Sequence, residues 1–115
     1  ITTLYHNQEG DKNLNHLALD YMIDKFQKHD IDVLLVGFPY NPVLLDRLED
    51  GKWDYVNESI QEYSNFSNVY VQDMTWDESW TDDHFSDLAH ASREGELYFT
   101  SRLHPIVDEI IKSNN

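Results

Sequence analysis

The run Asp32-Val33-Leu34-Leu35-Val36-Gly37-Phe38 narrows the fold more than any other stretch of this chain. Successive side chains of a strand point to opposite faces, so apolar residues on consecutive positions need cover on both sides. That is the pattern of a strand inside a parallel sheet flanked by helices. Pro39-Tyr40-Asn41-Pro42 then stops the strand, because proline supplies no N–H to a ladder. Residues 68–73, Asn-Val-Tyr-Val-Gln-Asp, read as a second strand, and the β-branched and aromatic residues 1–5 as another at the start.

Helical spacing fills the intervals. Residues 13–28 place Leu14, Leu17, Ala18, Tyr21, Met22 and Phe26 on one stripe, expected to be the buried one. Residues 43–48 form a short helix broken at Gly51, and residues 53–66 a second with Val56, Ile60 and Tyr63 inward. The last helix spans residues 92–112, with Leu97, Leu103, Val107, Ile110 and Ile111 as core contacts and Pro105 expected to kink or divide it. Strand and helix thus alternate three times, which predicts an α/β fold: a three-layer α/β/α arrangement on a parallel sheet, with right-handed crossovers. Three strands are few for an open sheet, and the central one wants neighbours on both sides. The 115 residues are therefore expected to be a single α/β domain that is incomplete, the later part of a larger one.

Charge and composition exclude some functions. The chain carries 22 acidic against 8 basic side chains, a net charge of -14, and such a field repels phosphate backbones and anionic lipid surfaces. Nucleic acid is excluded as a partner on that ground. Without cysteine there is no disulfide framework, thiolate nucleophile or thiolate metal site. No apolar run reaches the length of a membrane span. The chain opens on Ile1 rather than Met, so an upstream signal segment and an extracytoplasmic location are compatible with it, while its residues leave the compartment open.

In open α/β sheets ligands sit beyond the carboxyl ends of the strands, here the loops of residues 5–11, 38–42 and 74–90. The third holds Asp87 three positions before His90. A turn between them brings the carboxylate to the imidazole, fixing one tautomer and stabilising the protonated ring, as in the rear part of a hydrolase triad. His84 lies equally close to acidic residues and is the rival base. Two plainer readings stand beside the catalytic one. Asp87 and His90 suit the cap of the following helix, each satisfying the other's hydrogen bonds. Asp82, Asp83, His84, Asp87 and His90 also have the chemistry of a divalent metal site, although so dense an acidic loop is usually a solvated one, and neither metal nor cofactor is assigned. Trp76 and Trp80, four apart, line a substrate cleft or pack on the sheet, and Tyr40 is a further cleft candidate.

Four segments, Val-Leu-Leu-Val-Gly-Phe-Pro-Tyr-Asn-Pro, Asn-Val-Tyr-Val-Gln-Asp-Met, Asp-Leu-Ala-His and the stretch from Ser92 to Ile110, together resemble the later half of the SGNH hydrolases, the GDSL esterase/lipase superfamily. In that family a strand leads to an Asp-x-x-His pair, then a glycine and a terminal helix; Asp87, His90 and Gly95 match. The resemblance implies a flavodoxin-like fold and a Ser-His-Asp esterase or acyltransferase, with His90 as general base and Asp87 orienting it. It also implies an ester, acylated carbohydrate or lipid as substrate. The family's Gly-Asp-Ser block is absent, so the resemblance implies a serine supplied by an upstream segment, and a chain inactive by itself. Of the family's Gly-x-Asn-Asp block only Asn7 agrees, in Tyr5-His6-Asn7-Gln8, and it is the implied oxyanion donor. Ala91 stands where the family often has proline. The competing class is a non-catalytic acidic α/β binding or interaction domain.

Overall fold

The computed structural model describes residues 14–48, 51 and 53–114. Its elements run α1 (Leu14–Lys28), β1 (Val33–Gly37), α2 (Pro42–Asp46), α3 (Asp54–Tyr63), β2 (Val69–Asp73), a 3-10 turn (Asp82–His84) and α4 (Arg93–Ser113). Among the described residues β1 and β2 pair as a two-stranded sheet. The Val33 N–H donates to Asn68 O (2.8 Å) at one end and the Met74 N–H to Gly37 O (2.9 Å) at the other, so the strands are parallel. The class is mixed α/β. The strand expected over residues 1–5 lies outside the described residues, as does Asn7.

The chain divides into two compact units, Ile1–Val36 with Glu49–Gln72 and Gly37–Leu48 with Asp73–Asn115. The first is built on burial. Ile23 of α1, Tyr63 of α3 and Val69 of β2 form its core, with Leu19, Val33, Leu35 and Val71 partly buried against them. The Tyr63 hydroxyl donates to Asp20 Oδ1 at 2.5 Å, so the ring is buried without stranding its polar end. α1 ends in a Schellman motif: Asp30 sits at φ 55, and the N–H groups of Asp30 and Ile31 donate back to Gln27 O and Phe26 O.

The buried face of α1 is not the expected one. Leu14, Leu17, Tyr21 and Met22 are exposed, Leu14 by 83%, while Ile23 and Leu19 turn inward. Both stripes have helical spacing, and packing on β1 and β2 decides between them. Of the α3 residues, Tyr63 is buried and Val56 and Ile60 are half-buried.

The second unit is centred on Trp80 and Met74, which are 3% and 1% exposed. α4 runs unbroken through Pro105, so the proline does not divide it. Gly95 is buried, and Tyr98, Phe99, Arg102, Leu103, Ile106 and Ile110 are half-buried along the inward side. Leu97, Val107 and Ile111, expected inside, are exposed. They belong to a second apolar row around the same helix, and the aromatic row Tyr98–Phe99 captures Trp80 instead.

Candidate functional site

The site lies in the second unit, and its frame is a loop pinned at both ends. Phe85 and Ala91 form an antiparallel bridge. The Ser86 N–H donates to His90 O (2.8 Å), and the Ser92 N–H to His84 O (2.9 Å). Ser92 then caps α4, its hydroxyl donating to Asp83 O (2.8 Å) and accepting from the Gly95 N–H (3.2 Å). α4 passes so close that a Cβ on Gly95 would stand 1.8 Å from His84 O, which only glycine permits.

Inside this frame Asp87 and His90 meet. Asp87 Oδ1 accepts from the backbone N–H groups of Ala89 (2.8 Å) and His90 (2.7 Å), which closes the turn. Its Oδ2 lies 2.8 Å from His90 Nδ1. Those backbone donors, led by the Ala89 N–H and joined by the imidazole, hold the Asp87 carboxyl down at about 2. The group is therefore an ionised acceptor at neutral pH. Nδ1 must carry the proton toward it, which leaves Nε2 of the neutral ring as a bare lone pair. Among the described residues Asp87 is the ring's one side-chain partner. The imidazole is 79% exposed and stands at the edge of a groove of about 460 Å³.

Asn41 ties the loop after β1 to this turn. It is 3% exposed, and its amide donates to Asp82 Oδ1 (2.8 Å) and, more weakly, to Asp87 O (3.4 Å). Its Oδ1 accepts from the Val43 N–H (2.9 Å), so the same side chain caps α2. Asparagine before proline is a helix-start signal legible in sequence. The bond to Asp82, forty-one positions away, is not.

His84 has a different role from His90. Its Nδ1 accepts the Thr81 N–H at 3.0 Å, completing a capping box around the 3-10 turn. The neutral ring thus bears its proton on Nε2. It stacks on Tyr98 at 4.7 Å and meets Trp80 edge-on. No carboxylate backs it among the described residues, unlike His90.

Of the cleft candidates, Tyr40 and Trp80 line the groove together with Phe38 and Phe99, whose rings stack at 5.1 Å. Trp76 is 48% exposed and is not part of the lining. Trp80 is the centre of the aromatic packing, with Arg102 over its ring at 5.9 Å. Arg102 is bridged to Asp77 and donates to the Ser79 hydroxyl, and the guanidinium, with the Ser79 N–H, holds the Asp77 carboxyl at about 2.

Among the described residues no three His, Asp or Glu side chains converge on a point where a metal ion would sit. No helix among them is long and apolar enough to cross a membrane. Comparison with protein-family models, with curated proteins and with solved structures gives no match.

Proposed function

We propose that this chain supplies the histidine and aspartate of a Ser-His-Asp esterase or acyltransferase of SGNH type, within a three-layer flavodoxin-like domain, and that the nucleophilic serine comes from sequence upstream of Ile1. The observation that carries the reading is the Asp87 carboxylate 2.8 Å behind His90 Nδ1, in an exposed imidazole that is one of the residues lining a groove.

In this reading the serine Oγ attacks an ester carbonyl while His90 Nε2 takes its proton. Asp87 stabilises the imidazolium so formed, and His90 returns the proton to the departing alcohol. Water, deprotonated by the same nitrogen, then cleaves the acyl-serine. Hydrogen-bond donors at the carbonyl oxygen hold the developing negative charge, the role that the resemblance implies for Asn7.

The test is turnover of p-nitrophenyl acetate by the gene product with its upstream sequence. His90→Ala should lower kcat by about a thousandfold or more, and Asp87→Asn by up to about ten-thousandfold, because an amide facing Nδ1 selects the wrong tautomer. Asp87→Asn should fold alike by circular dichroism and melt only slightly lower, since the asparagine Oδ1 still accepts the Ala89 and His90 N–H groups while the carboxylate's charge is lost.

One observation favours the second reading, a non-catalytic binding domain: Asp87 Oδ1 closes the turn by itself and gives the residue a complete structural role. Turnover that survives both substitutions denies Asp87 and His90 a part in catalysis and leaves them the structural role.

A further inference from the structure

We propose that the groove beside His90 takes an uncharged aromatic acyl group and disfavours the matching free carboxylate, so that an ester enters more readily than its acid product stays. Its meaning for catalysis rests on the esterase reading, whereas the binding preference does not.

The walls are aromatic. Phe38, 64% exposed, presents a ring backed by its stack on Phe99, and Tyr40, Trp80 and Phe85 add further rings to the lining. A volume near 460 Å³ suits an aromatic ring with its acyl carbon, and flat apolar walls favour a flat apolar guest.

The charges set the sign. Glu96, one turn before Thr100 on the α4 wall, is the carboxylate in the lining, and no lysine or arginine faces the groove among the described residues. The guanidinium that lies over Trp80, Arg102, is held by Asp77 and Ser79. An anionic ligand would thus meet a carboxylate without a counter-ion, inside a chain of net charge -14. Hydrolysis turns a neutral ester into such an anion, so the same field that is indifferent to substrate expels the acid product.

Benzamide and benzoate differ mainly in charge and need no serine to bind. They would be titrated separately into the 115-residue chain at pH 8.5, where imidazoles are ordinarily neutral, and followed by backbone amide shifts. Benzamide should move the amides of Phe38, Tyr40, Ala91 and Phe99. Benzoate should bind at least about threefold more weakly, the repulsion expected of two unit charges ~6 Å apart in a wet site. Glu96→Gln should narrow the gap, as should high salt, and Phe38→Ala should weaken benzamide. Equal or tighter binding of benzoate, shifts that map elsewhere, or no shift with either probe would each overturn the proposal. If the discrimination is found but ester turnover survives His90→Ala, the groove assignment stands and the esterase reading falls.

Discussion

The two units differ in what they bury. In the unit containing α1, α3 and β2, Ile23, Tyr63 and Val69 fill a core with non-directional contacts, and the buried Asn68 donates to Ile31 O at 3.1 Å. In the unit containing α2, the 3-10 turn and α4, a buried aromatic centre at Trp80 is accompanied by directional bonds. Asn41 joins Asp82, Val43 and Asp87, Ser92 joins Asp83 and Gly95, and Thr81 joins His84. Apolar burial tolerates exchanges of similar volume, whereas a hydrogen bond leaves its partner stranded when one end is removed. The first unit should therefore answer to volume and the second to atom position.

The largest effect expected is in the first unit. Ile23→Ala should destabilise by about 4 kcal/mol in urea denaturation, from lost transfer energy and the cavity left behind. Ile23→Leu should lose under ~1.5 kcal/mol; comparable losses for both would break the contrast.

Gly95→Ala comes next, at about 3 kcal/mol. Alanine in a helix is favoured over glycine by about 1 kcal/mol, so a propensity argument alone predicts stabilisation. The overlap with His84 O at 1.8 Å overrides it, because that atom is backbone and cannot rotate away. A more stable Gly95→Ala protein would show that the approach of α4 to the turn is looser than described.

Asn41→Ala should destabilise by about 2 kcal/mol, since it strands the Val43 N–H and removes the donor to Asp82. Amide exchange should quicken at Ala89 and His90 more than in α1. Uniform quickening would deny Asn41 its local role.

The smallest effect is with pH. Asp77 and Asp87 are held at about 2, against an ordinary 3.8. A depressed folded-state value means that stabilisation is complete above about pH 4 and is lost as pH falls through 2. Denaturation at pH 4, 3 and 2 should show a shallower decline for Asp77→Asn than for the unaltered chain. An identical decline would remove Asp77 as a contributor.

What was legible in the sequence follows the same division. The apolar runs announced β1 and β2, and helical spacing announced α1, α3 and α4, the last of them from residue 92. The inward faces of α1 and α4 are legible only in part: Phe26, Leu103 and Ile110 are half-buried as their spacing implies, but each helix carries two apolar rows and only tertiary neighbours choose between them. At the site, the spacing of Asp87 and His90 suggested a turn that joins them, and that contact is present. The partners of His84, the reach of Asn41 and the crowding at Gly95 depend on distances between segments far apart in sequence, which local pattern does not encode.

Asp87 Oδ1 receives two backbone N–H groups while its sister oxygen faces the imidazole. Loop closure and ring orientation thus share one rigid three-atom plane, so a side chain placed there has to serve both. Glutamate, one methylene longer, would have to abandon either the amides or the ring. A longer or shorter side chain at position 87 therefore also changes the chain path around it.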